Sequence, residues 1–122
     1  MKKLLLALPF SVLLTACGSD SVSDIAQEYC LDIKQRNWDD AREKALDHVV
    51  SNRENMYEKN KGKYSMLFGG QNCSVTNIEE DGTDRTVYFG SSKLDSIMLE
   101  FNEEEDRYVV VMDAFKNDLK LY

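Results

Sequence analysis

Carboxylates are the most abundant chemical groups in this chain: Asp and Glu number 22 against 15 Lys and Arg, a net charge of −7. Two acid-rich strings stand out, Glu79-Glu80-Asp81 with Asp84, and Glu103-Glu104-Glu105-Asp106. Clustered carboxylates attract cations, whether a divalent ion or a basic protein surface. Their spacing does not fit the EF-hand loop, which alternates its ligands and ends in Glu. Two carboxylates can also act as acid and base, but in so acidic a chain no one pair is singled out. Glu79, Glu80, Asp81, Asp84, Glu103, Glu104, Glu105 and Asp106 are therefore candidates for an acidic face that takes a cationic partner. The competing reading is two solvated turns whose charges keep a sheet from pairing edge to edge.

Other chemistries find fewer components. His48 is the only histidine and sits outside the apolar spacing of Leu46, Val49 and Val50, which places it toward solvent or at the border of that stripe. A zinc site needs several His or Cys ligands at defined spacing, and no such set is present. A serine nucleophile needs a base and a strained elbow with glycines, and His48 has no such neighbours. Gly69-Gly70 lacks the Lys-Ser/Thr that completes a phosphate-binding loop. These absences make the chain read as a non-enzyme with no catalytic residue, metal or cofactor motif.

The elements that must position the carboxylates follow from periodicity. Asp24 with Gln27 makes a capping-box-like start, and Ile25, Tyr29, Cys30 and Ile33 recur at helical spacing. Asn37 can cap a second stripe, Trp38, Ala41, Ala45, Leu46, Val49 and Val50, the two stripes forming two helices or one bent one. Ser51 to Lys63 is polar apart from Met56 and Tyr57 and reads as a third short helix or a loop. From Gln71 the period becomes two: Cys73 and Val75 alternate with polar residues, and Asp81-Gly82 signals a hairpin. Thr86 to Phe89 is a strand core, and Ile97, Leu99 and Phe101 alternate with Met98 and Glu100. The run Tyr108 to Met112 has the composition of a strand covered on both faces or lying centrally. Helices followed by strands predict an α+β fold, with N-terminal helices on one face of an antiparallel four-stranded meander. A simple meander puts its first and third turns at one end, which would gather all eight carboxylates along one edge.

The N-terminus follows the order of a secretory signal. Lys2 and Lys3 give a positive start, Leu4 to Leu14 an apolar core of eleven residues, and Leu14-Thr15-Ala16-Cys17 a small-residue end. An uncleaved membrane span would need about 20 apolar residues. The string Leu14-Thr15-Ala16-Cys17 resembles the motif that closes bacterial lipoprotein signal peptides. The resemblance implies a signal peptide over residues 1–16, lipidation of Cys17, and a tether over residues 17–23. It also implies a single domain over residues 24–122, with membrane attachment through the acyl chains on Cys17. By the sorting rule of such lipoproteins, Gly18 in place of Asp after the lipidated Cys favours the outer over the inner membrane. Removing Lys2 and Lys3 leaves 13 basic against 22 acidic side chains, a mature charge of −9. That charge excludes a nucleic-acid binder, which must neutralise phosphates. With Cys17 set aside, Cys30 and Cys73 remain as a pair in an oxidising compartment, where a disulfide persists. Closing that loop would contribute about 4 kcal/mol.

Asn37-Trp38-Asp39-Asp40-Ala41 on an early helix, with a meander ending Asp106-Arg107-Tyr108-Val109-Val110, resembles the small cystatin-like lipoproteins of the nuclear-transport-factor-like superfamily. The match covers about residues 24–115. The chain departs from the family pattern where Asn37 replaces a glycine and Arg107-Tyr108 replaces Gly-Lys-Trp. The resemblance implies a curved sheet wrapped round a helix and a cone-shaped pocket that some of the chain's aromatic residues would line. The expected role is a binding or scaffolding module, its partner either a small apolar ligand or a basic protein. The alternative is an inhibitor or immunity protein that neutralises a basic toxin or cell-wall hydrolase.

Overall fold

Ser21 opens the first helix: its hydroxyl oxygen accepts the backbone N–H of Asp24 at 3.0 Å, as an N-cap does. The computed structural model describes residues 21–90 and 93–115. Helix α1 spans Val22–Gln35, so the cap precedes the expected start at Asp24, and Val22 and Ser23 belong to the helix rather than to a tether. The signal segment, Cys17 and the rest of the tether lie outside the described residues. The predicted stripe of Ile25, Tyr29, Cys30 and Ile33 is buried, joined by Ala26. The helix stops at Arg36, which takes the left-handed conformation (φ 63°).

The second stripe does not form one element. Helix α2 is only Trp38–Arg42, and α3 begins at Asp47 and runs to Lys59. Between them the chain extends to pair with a distant strand. Val110 donates its N–H to the Lys44 carbonyl at 2.8 Å, and the Leu46 N–H donates to the Val110 carbonyl at 3.0 Å. Leu46, predicted in the apolar stripe, is instead 39% exposed, because it stands at the N-cap of α3 rather than on its inner face. The polar stretch after Ser51 is helical, divided between α3 and α4 (Lys61–Gly69), with the Asn60 side chain accepting the N–H of Lys63 at 3.1 Å.

Four strands follow: β1 Val75–Asp81, β2 Asp84–Phe89, β3 Leu94–Asn102 and β4 Arg107–Phe115. They are antiparallel in the order β1-β2-β3-β4, the expected meander. Gly82 occupies the β1–β2 turn at φ +63°, a conformation glycine adopts without side-chain conflict. Val87, Ile97 and Leu99 are buried on the inner face, and α1 packs across all four strands. The described residues thus form an α+β fold of four helices and one four-stranded sheet.

Of the two places expected for the Tyr108–Met112 run, covered on both faces or central, the second is not found. β4 is an edge strand, not a central one, and a register shift leaves Val111 unpaired, since Met98 faces Met112 while Leu99 faces Val110. Before that shift the strand still alternates, Val110 pairing with inward Leu99 and Val109 with outward Glu100, yet both valines are buried. Phe101, on the inward-facing side of the alternation, lies at the open end of the sheet and is exposed, its ring edge-on to Tyr108 with centroids 5.3 Å apart.

Three polar ties hold the layers together. Cys30 on α1 and Cys73 before β1 stand at bonding distance, S–S 2.05 Å, with Cα atoms 5.7 Å apart, within the usual disulfide range. The buried Gln71 amide accepts the Leu94 N–H at 2.9 Å and donates to the Leu94 carbonyl at 3.3 Å, standing in for a strand partner at the start of β3. Tyr64 on α4 donates to the Ile33 carbonyl at 2.7 Å, fixing α4 against the end of α1.

Candidate functional site

Strand register decides which carboxylates share a face. Directly paired residues point to the same side of a sheet. Asp81 pairs with Asp84 and Asp84 with Glu100, so three carboxylates stand in one cross-strand row on the face turned away from α1. The next row on that face is Glu79, Thr86, Met98 and Met112, and the third is Asn77, Tyr88, Ser96 and Ala114. Tyr88 donates to Glu79 Oε1 at 2.9 Å across two of these rows. The carboxylate beside it pushes the phenol pKa up.

The two acidic turns do lie at the same end of the sheet, but the eight predicted carboxylates do not make one edge. Glu80 points to the opposite face and approaches Arg85 at 3.7 Å. In the β3–β4 turn, Glu105 is held by Arg107 at 2.7 Å from Nε and 2.6 Å from Nη2. Asp106 there takes the left-handed backbone (φ 55°), and Asn102 Oδ1 accepts the Glu105 N–H at 3.0 Å. Glu103 and Glu104 are exposed in the same turn. The structure adds Glu100, which completes the row with Asp81 and Asp84. The signal for it was the alternation of Glu100 with Leu99 and Phe101, which already set it on the outer face.

Like charges directly opposite on a sheet, their Cβ atoms about 5 Å apart, destabilise it. Among the described residues none of the Asp81, Asp84 and Glu100 carboxylates forms a salt bridge. Arg85 beside them donates from Nη1 to the backbone carbonyls of Gly82 and Asp84, both at 2.8 Å. Protection of the sheet edge accounts for acids on β1 but not for Asp84 and Glu100, which sit on the inner strands β2 and β3. Beside the row, Met98 and Met112 pair across β3 and β4, with Met112 50% exposed. Flexible methionine beside acidic residues makes an adaptable surface for an amphipathic basic partner.

A second charged cluster went unrecognised in the sequence. Asp113 on β4 points inward, its side chain 3% exposed. It accepts the Tyr29 hydroxyl at 3.0 Å and lies 3.2 Å from Nε of Arg53 on α3. Burial raises the Asp113 pKa, against the opposing pull of Arg53 and the Tyr29 hydrogen bond. Burial likewise raises the Tyr29 phenol far above its ordinary range, with the Asp113 charge adding to the shift. Arg53 also stacks on the Phe115 ring, 4.7 Å from its centroid. The Tyr29–Asp113 bond is buried while Arg53 reaches the surface at 13% exposure, and the cluster joins α1, α3 and β4, which is structural work.

Between helices and sheet the interior is filled by Tyr29, Ile33, Tyr64 and Phe68, with Tyr64 and Phe68 rings 4.4 Å apart. Tyr64 also meets Trp38 and Tyr57, and Phe68 meets Phe115, each edge-on. His48 is exposed on α3. Among the described residues no His, Cys, Asp or Glu side chains converge as a metal site requires, and no helix is long and apolar enough to cross a membrane. The chain matches no protein-family profile, no curated protein and no solved structure.

Proposed function

We propose that this chain is a lipid-anchored lipoprotein of the bacterial cell envelope, a non-enzymatic binding module that docks a basic protein on the outer face of its sheet. The observation that carries the docking is the Asp81–Asp84–Glu100 row, three carboxylates without a salt bridge kept side by side at a cost to the sheet. A cationic partner would offset that repulsion and be steered to the face over some distance. The Leu14-Thr15-Ala16-Cys17 motif supports attachment through acyl chains on Cys17, and Gly18 supports the outer membrane. The Cys30–Cys73 pair fits an oxidising compartment. One long helix laid across a four-stranded meander supports a cystatin-like reading of the fold. A basic cell-wall hydrolase is one partner of the required charge, in which case docking would be inhibition.

The test uses the purified full chain and a basic lysozyme as a defined cationic probe. Expected are binding that weakens steeply with added salt and its loss on the combined change Asp81→Asn, Asp84→Asn and Glu100→Gln. Binding that survives the triple change would rule out this face. Separately, metabolic labelling with a radioactive fatty acid should mark the wild-type chain and not Cys17→Ser. Equal labelling of both would remove the anchor from the proposal.

A further inference from the structure

A groove of about 440 Å³ opens in the helical layer around α2, away from the acidic sheet face and independent of it. Trp38 forms part of its lining, and the indole is held in place from behind, 6.2 Å from the Tyr57 ring and edge-on to Tyr64 at 6.1 Å. Around it stand Asn37, Asp39, Asp40 and Glu54, with the guanidinium groups of Arg36 and Arg42. Arg42 is fixed by Asp47 at 2.8 Å, Ser51 at 3.1 Å and Glu54 at 2.8 Å. Arg36 is fixed differently: it holds a left-handed backbone that glycine would adopt more easily, and its guanidinium stacks 5.3 Å from the Tyr57 centroid. Asp39 and Asp40 carry exposed carboxylates that form no salt bridge among the described residues, although Lys44 donates to the Asp40 backbone carbonyl at 3.2 Å. The Asn37 side chain donates to Gln35 at 3.3 Å instead of capping the helix. Positioned groups of this kind lower the ordering cost of binding.

We propose that this groove binds a neutral, hydroxyl-rich ligand, a saccharide. The interleaved signs argue against a strongly charged ligand, because an anion would meet Asp39, Asp40 and Glu54, and an organic cation would meet Arg36 and Arg42. Apart from Trp38 the lining is polar, which disfavours a lipid. A sugar ring fits both parts of the site: its C–H face can lie on the indole, while its hydroxyls donate to the carboxylates and accept from the guanidinium groups.

Trp38 is the chain's single tryptophan, so its fluorescence reports this groove alone. The full chain is titrated with tetrasaccharides of N-acetylglucosamine and of glucose, with spermidine and inorganic phosphate as charged controls. The expected result is a saturable change with at least one sugar and none with the charged probes. Asp39→Ala and Asp40→Ala, both at exposed positions, should each weaken that binding by about tenfold with an unchanged melting temperature. Trp38→Phe, which keeps an aromatic ring against Tyr57, should weaken it as read by calorimetry. Failure of both sugars to saturate, an equal response to either charged probe, or full affinity in the two Asp variants would each overturn the proposal.

Discussion

Tyr29 on α1 donates its hydroxyl hydrogen to Asp113 on β4, 84 residues along the chain, at 3.0 Å in the protein interior. Tyr29→Phe leaves the Asp113 carboxylate with Arg53 as its remaining side-chain partner and should cost about 1–3 kcal/mol. Asp113→Ala strands Arg53 without its counter-charge and should cost more, about 3–5 kcal/mol. Urea denaturation with unchanged slope checks both. Near-wild-type midpoints would show that the cluster adds little to the fold.

Little of that cluster was legible in the sequence. The strand rhythm from Ile97 through Phe101 reads directly as an inner face, and Asp81-Gly82 announces its hairpin, because both are local patterns. Asp113 breaks from local reading, since the register shift at Val111 changes which residues of β4 face inward. The split of the second helical stripe was hidden for a similar reason. Lys44 to Leu46 leave the helix to bond Val110, a partner more than sixty residues away that no periodicity reveals. Of the acidic surface, the location of both turns was readable. The pairing of Glu80 and Glu105 with arginines, and the addition of Glu100, needed the register.

Ionisation of the buried phenols should set the alkaline limit of the fold. Burial raises Tyr29 and Tyr64 above the ordinary phenol value of 10.0. A folded-state pKa above the unfolded one contributes stability that is complete below pH 10.0 and is lost as pH rises beyond it. An ultraviolet phenolate titration should therefore show the exposed tyrosines ionising first, with Tyr29 and Tyr64 following only in a cooperative step that coincides with loss of circular dichroism. Smooth titration of all six tyrosines in a folded chain would contradict their burial.

At the acid end the sign is the same for Asp113 and Asp32, whose carboxyls are both raised chiefly by burial. Their contribution is complete below the unfolded value of 3.8 and declines as pH climbs through their folded values. Asp113→Asn should flatten the stability profile just above that value, as measured by melting temperature against pH.

Reduction of the Cys30–Cys73 pair releases a loop with a sequence separation of 43. The chain-entropy model puts the loss at about 4 kcal/mol. Comparing urea midpoints of the oxidised chain and of Cys30→Ser/Cys73→Ser tests this. Equal midpoints would mean that the pair adds nothing to stability.

Relieving the acidic row should stabilise the fold while weakening partner binding. Asp84→Asn, at the centre of the row, should gain a few tenths to about 1 kcal/mol at low ionic strength. Added salt should shrink the gain, which melting curves at low and high salt would record. A loss of stability would mean that Asp84 has a structural task the row does not explain.

The two borders of the sheet differ. β4 is bonded on its outer side at Val110 by the Lys44–Leu46 segment, whereas among the described residues no segment pairs with the outer side of β1. Among the described residues an incoming strand from another molecule therefore finds β1 the more open border, because at β4 it would first meet the bonds at Val110. Two copies joined β1 to β1 would bury both of those open sides, so the geometry allows a symmetric closed pair.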